Sequence, residues 1–218
     1  MRGTRTFQVA LLVAGTAAAL LTAVPASATA AGTASAGSAS IVRNNRTIPV
    51  APVAPCSLTG HRQGSSSGAS KNGLVSFGPA SSTCTRDQQA HTSSATVKGS
   101  DFALSALQKY GGPLIRISTY QVSCTATQHG TNASWSFGGL TGLTVPQQIP
   151  QNYTVKVKSG NRLLAKVILN EVIFPDPNDG SITLNMMHIV LFPNGTPPHT
   201  TALSGDVYVG STACSPTV

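Results

Sequence analysis

The stretch Arg162-Leu163-Leu164-Ala165-Lys166-Val167-Ile168-Leu169-Asn170-Glu171-Val172-Ile173-Phe174 is apolar at nearly every position, and so is Ile182 to Phe192 after it. Apolar runs of this length between turns read as strands covered on both faces, or central in a sandwich. Ser159-Gly160-Asn161 and Pro177-Asn178-Asp179-Gly180 supply turn punctuation on either side of the first run. Leu203 to Cys214 reads as a last strand with Val207 and Val209 inward.

The pattern stays β upstream. Tyr153, Val155 and Val157 alternate with Thr154, Lys156 and Lys158, and Ala133, Trp135 and Phe137 alternate with Asn132, Ser134 and Ser136. Period two of this kind predicts strands with one buried face. Leu114 to Ala126 also reads extended. Its apolar phase slips between Ile115/Ile117 and Tyr120/Val122/Cys124, which predicts a bulge near Thr119. A helix fits only near Asp101 to Tyr110, where Phe102, Leu104 and Leu107 are spaced for a short turn. Short strands without long amphipathic helices predict an all-β domain over residues 73–218, an antiparallel β-sandwich or jelly-roll-like barrel.

Residues 29–72 are rich in Ala, Ser, Thr, Gly and Pro. They offer few large apolar side chains to offset ordering entropy, so a flexible segment is expected there. Residues 1–28 read as a secretory signal peptide: Arg2 and Arg5, the apolar run Phe7 to Val24, then Pro25 and Ala26-Ser27-Ala28. A second cleavage site, Ala28-Thr29-Ala30, is nearly as good. No other long apolar run occurs, so no membrane span is expected in the mature chain.

The chain carries 14 Lys+Arg against 6 Asp+Glu, a net charge of +8, and only 9% of its residues are charged. So few acids argue against a glycosidase or a carboxylate-rich metal enzyme. Cys56, Cys84, Cys124 and Cys214 are even in number. In an exported chain that implies two disulfides, with three pairings open. No Cys-x-x-Cys or matching His spacing suggests zinc, and no cofactor is expected.

Several constellations have a bland and a sharp reading. Gly64-Ser65-Ser66-Ser67-Gly68 matches a nucleophile elbow in letters, but no helix follows and a linker is expected. Asp176, Asn178 and Asp179 lack the spacing of a calcium loop and read as a turn. His188 falls in phase with Ile182, Leu184, Met186 and Val190, with no acid at a partner spacing, and reads as a hydrogen-bonded core residue. Glu171, the single glutamate, shares a phase with Leu169 and Ile173 and is expected to be partly buried and paired with a Lys or Arg. With Asn170 or Asn185 it is the best single candidate for a site, and no catalytic residue is assigned. His61, His91, His129 and His199 are scattered without ligand spacing. Lys156, Lys158, Arg162 and Lys166 fall around one hairpin and form a possible polyanion patch for wall polymers or anionic lipid. Nucleic acid is not expected, for want of a recognition helix and interleaved exposed aromatics.

Three segments resemble the C-terminal half of the choice-of-anchor P family, exported β-rich proteins of high-GC Gram-positive bacteria. They are Val167-Ile168-Leu169-Asn170-Glu171, then Gly180-Ser181-Ile182-Thr183-Leu184-Asn185-Met186-Met187-His188-Ile189-Val190-Leu191, then Gly205-Asp206-Val207-Tyr208-Val209-Gly210-Ser211. Their order and spacing match, and Tyr120 to Ala126 is similar to the preceding strand with its cysteine. The resemblance covers roughly residues 73–214. It implies an extracellular or envelope location and no enzymatic activity that transfers to named positions. It also implies a pairing: Cys124 with Cys214 on adjacent strands of one core, leaving Cys56 for Cys84. The Cys124–Cys214 loop of about 90 residues would be worth roughly 4 kcal/mol on a chain-entropy model.

The expectation is a secreted or envelope-associated, non-enzymatic structural or interaction protein, whose partner is an anionic wall polymer or an extracellular protein. The alternative is a binding module for wall polymer, carbohydrate or protein. A secreted hydrolase using Glu171 stands behind both.

Overall fold

The computed structural model describes residues 32–71, 73–196 and 202–216. The signal peptide expected over 1–28 and residues 197–201 lie outside them. The order is β1 Thr33–Arg43, β2 Arg46–Val53, β3 Cys56–Ser57, β4 Gln63–Ser66, β5 Ala69–Lys71, β6 Val75–Phe77, β7 Ala80–Asp87, β8 Thr92–Leu104, a 3-10 turn at Gln108–Tyr110, β9 Ile115–Thr127, β10 Gly130–Gly138, β11 Tyr153–Ser159, β12 Arg162–Ile173, β13 Ile182–Leu191 and β14 Leu203–Cys214. The expected helix near Asp101 shrinks to that single turn, because β8 runs on to Leu104.

Two antiparallel sheets pack face to face, as the alternation predicts. Sheet A runs β11-β12-β13-β14-β1-β2, with β3 beside β1. Sheet B runs β10-β9-β8-β6-β5, with β7 also on β8 and β4 on β7. Leu169, Leu184, Met187, Ile189, Val207 and Val209 of sheet A meet Phe102, Leu104, Ile117 and Val122 of sheet B, all essentially inaccessible. Burial of each such side chain is worth about 1.5–3 kcal/mol. Leu140, Leu143, Val145 and Ile149, on the crossing between β10 and β11, also pack onto this core.

Within the segment expected to be flexible over 29–72, the described residues 32–71 carry five strands, with β1 inside sheet A between β14 and β2. Small residues are what this position needs. Ala34, Ala36, Ala39 and Ile41 face inward and are buried. A Cβ on Gly37 would stand 2.2 Å from the Phe77 ring and 2.6 Å from the Tyr208 carbonyl. The Tyr120 hydroxyl donates to the Ala36 carbonyl at 2.9 Å. A strand against which aromatics of the other sheet press closely is selected for small side chains, and its Ala/Ser alternation is an amphipathic pattern in miniature. Gly64-Ser65-Ser66-Ser67-Gly68 is likewise neither elbow nor linker: Gln63–Ser66 pairs with β7.

Both disulfides join the sheets. Cys56–Cys84 ties β3 to β7, and Cys124–Cys214 ties β9 to β14. The pairing implied by the resemblance is the one found, but Cys124 and Cys214 lie on facing strands of opposite sheets rather than adjacent strands.

Each sheet bends at one line of residues. In sheet B the phase slip near Thr119 is met by a slip in β8 at Asp101, whose φ is 52°, so register is kept on both sides of it. In sheet A the pairing steps from Leu169↔Met187↔Val209 to Glu171↔Asn185↔Ser211, passing over Asn170, Met186 and Gly210 together. Asn170 (φ 53°) and Gly210 (φ 62°) adopt the left-handed conformation that Asn and Gly tolerate best.

Candidate functional site

The bend in sheet A decides which side chains meet on its outer face. Without it, residues three apart in a strand would point to opposite sides. With Met186 taken up in the bend, Asn185 and His188 share the outer face, as do Tyr208 and Ser211 across Gly210, while Leu184, Met187 and Ile189 point inward. His188 therefore stands out of phase with Leu184 and Met186, not in phase as the plain alternation reads. Glu171 is turned outward, away from Leu169, by Asn170.

The result is a hydrogen-bonded chain across three strands. The His188 ring sits between two carboxylates, with Nδ1 2.8 Å from Glu171 Oε1 and Nε2 2.9 Å from Asp206 Oδ1. Asn185 Nδ2 donates to Glu171 Oε2 at 2.7 Å, and the Ser211 hydroxyl donates to Asn185 Oδ1 at 2.6 Å. Tyr208 stacks on the imidazole, with ring centroids 4.2 Å apart and 19° between planes. Ionised carboxylates only accept hydrogen bonds, so contacts at both ring nitrogens require the imidazolium, the form with two donors.

The electrostatics agree with that geometry. Burial would raise the Glu171 carboxyl, but hydrogen bonds from His188 and Asn185, with the charges of His188 and Lys166, hold it below the usual range. Burial would lower His188, but hydrogen bonds to Glu171 and Asp206, with their charges, raise it. Burial and the two carboxylates also push Tyr208 upward. The expected partner of Glu171 is thus a histidine and an amide, with Lys166 a more distant charge. The acids serving His188 stand on neighbouring strands, where spacing along its own strand cannot reveal them.

The basic hairpin is β11–β12. Lys156, Lys158, Arg162 and Lys166 are all exposed. Lys156 lies directly opposite Lys166, and Lys158 follows in the same phase of β11. Arg162 faces Ser159 in the other phase, at the turn. There it lines an open, polar depression of about 650 Å³ with Asn161, Asn194 and Thr196. Among the described residues no carboxylate comes within ion-pair distance of these four cations. The hairpin and the histidine chain are contiguous: His188 pairs with Ile168, which makes Lys166 its diagonal cross-strand neighbour, roughly 7–8 Å away between Cβ atoms.

The remaining candidates are structural. Asn178 Oδ1 accepts from the Gly180 amide, and Asp179 Oδ1 accepts from the Ser181 amide at 2.8 Å, so these side chains close the turn after β12. Trp135 and Phe137 stack on each other at 5.5 Å, half-buried on the inner side of edge strand β10. Among the described residues no group of three or more metal-ligating side chains converges, and no helix is long and apolar enough to cross a membrane. Two disulfides suit an oxidising compartment.

No family model, no curated protein and no solved structure matches the chain.

Proposed function

We propose that the chain is an exported, envelope-associated interaction protein of the choice-of-anchor P type, with no enzymatic activity, which holds an anionic wall polymer on its β11–β12 hairpin. The observation that carries this reading is the directly opposed pair Lys156 and Lys166, flanked by Lys158, with no carboxylate within ion-pair distance among the described residues. Like charges facing each other across a strand pair are destabilising. A ligand that threads phosphates or carboxylates between them converts that repulsion into binding. The Arg162 depression beside the turn extends the same surface.

The hydrolase reading receives less support. Both Glu171 oxygens are engaged, by His188 and Asn185, on a sheet face rather than in a cleft. A catalytic acid would need a free oxygen and a raised pKa.

The test is sedimentation of the purified mature chain with isolated cell walls across a salt series, beside the double variant Lys156→Glu/Lys166→Glu. Pelleting at low salt that is lost at high salt, and lost at all salts in the variant, is the expected result. Absence of pelleting at any salt, or unchanged pelleting of the variant, would overturn the reading. Retention at high salt would move the assignment to a specific pocket and a binding module.

A further inference from the structure

We infer that His188 makes the basic hairpin pH-responsive: polyanion is held more tightly when the imidazole is protonated and released as it loses its proton. This rests on the hairpin being the polyanion site, and it adds how that site is regulated.

The geometry supplies both halves. The groups facing the His188 ring are Glu171 and Lys166 from β12, and Asp206 and Tyr208 from β14, with Lys156 one strand further on β11. With the imidazolium in place, Glu171, His188 and Asp206 carry one net negative charge. The cation occupies one oxygen of each carboxylate. Without the proton the same three groups carry two negative charges, and one ring nitrogen presents its lone pair to a carboxylate that can only accept. That carboxylate loses its partner. Asp206 is the more exposed of the two, at 43% against 13% for Glu171, so it is the one freed to turn. Lys166 is the cation whose charge acts on Glu171, and a polyanion then meets Lys166 already neutralised in part. One unit of charge at that diagonal distance changes affinity by roughly three- to tenfold at low salt, and by less as screening shortens its reach.

The sign is fixed by the chemistry. His188 is raised by its two acids, so the change falls above the ordinary imidazole value of 6.5. Linkage makes the effect reciprocal: polyanion bound at the hairpin has to draw the His188 titration upward.

The experiment uses inorganic polyphosphate, whose internal phosphates stay ionised throughout, with the full mature chain at low salt between pH 5 and 9. Dissociation constants are measured for the wild type and for His188→Gln, and the His188 ring resonances are followed by NMR with and without polyphosphate. The expected result has three parts. Wild-type affinity falls severalfold as pH rises, with a midpoint at the titration of His188 itself. The Gln variant binds with the weaker affinity at every pH. Polyphosphate moves the His188 midpoint to higher pH.

A wild-type affinity that does not vary with pH, or a midpoint that follows His61, His91 or His129 instead, overturns the inference while leaving the hairpin site intact. Absence of binding at every pH overturns the hairpin reading and the inference with it. The NMR arm needs no substitution, so a Gln variant that fails to fold still leaves the proposal open to refutation.

Discussion

The two outer faces of this sandwich are built by the same rules from opposite materials. The outer face of sheet B carries a neutral ladder over two rows: Thr83, Thr96, Ser123 and Ser134 form one row across four strands, and Thr85, Ser94, Thr125 and Asn132 form the next, with Lys98 the charge in the row beyond. Its hydroxyls bond one another, as Thr85 does Ser94 at 2.8 Å and Ser123 does Ser134 at 2.9 Å. The outer face of sheet A carries charge, in the His188 chain and the lysine pair. On the neutral face each bond joins two exposed groups that water serves nearly as well. On the charged face the groups are part-buried, so each carboxylate depends on its partner. The difference teaches that hydrogen bonds of equal length on one sandwich carry unequal weight, set by desolvation and charge.

Substitutions break this comparison in graded ways. Replacing Cys124 and Cys214 by Ala removes one of the two clamps that both faces share between their sheets; a loop of 90 residues implies a loss of about 4 kcal/mol, read by denaturant unfolding. Gly210→Ala strikes the bend of the charged sheet from its core side. It sets a Cβ 2.6 Å from Val122 Cγ2 at φ 62°, and about 2–3 kcal/mol should be lost. A Tm equal to wild type would show that the bend yields without cost.

His188→Ala should cost about 2 kcal/mol, because it leaves Glu171 and Asp206 without their donor. Its signature is in pH. His188 is raised in the folded state, so its contribution is complete below pH 6.5 and fades as pH rises through the folded value. Glu171 is lowered, so its contribution is complete above pH 4.5 and fades as pH falls through the folded value. The gap between wild type and variant should therefore be widest between those limits. A gap constant from pH 4 to 9 would contradict the imidazolium assignment. Last, Ser123→Ala with Ser134→Ala on the neutral face should shift stability by less than about 0.5 kcal/mol, with no pH dependence.

The sequence makes the C-terminal strands legible because their signals are large. Leu203–Cys214 is bounded to the residue, and β12 and β13 end one residue before the predicted Phe174 and Phe192. β1 is hidden because its face is written in Ala and Ser, and hydrophobic counting rewards size rather than fit. The histidine chain is hidden for a different reason. Its members lie on three strands, and a strict period of two assigns Asn185 and His188 to opposite faces. The signal that could have found it is the repeated spacing of three: Asn185 to His188 in one strand, Tyr208 to Ser211 in the next, with Asn170 and Gly210 as residues that tolerate a left-handed backbone. The three segments that carry the family resemblance are β12, β13 and β14, and their polar letters are the ones that meet around His188. A resemblance confined to those letters would follow from the need to keep one bend and one network, whatever the chain does.

β1 and β14 are partners from Thr33↔Ala213 to Arg43↔Leu203, so the earliest and latest of the strands lie side by side within sheet A. That pairing is a seam in time as well as in space. A ribosome delivers Thr33 long before Leu203, and β1 must stay unzipped from its neighbour until Leu203–Cys214 has followed. That seam of sheet A is the last to have both its edges, like a belt whose buckle is the last part made.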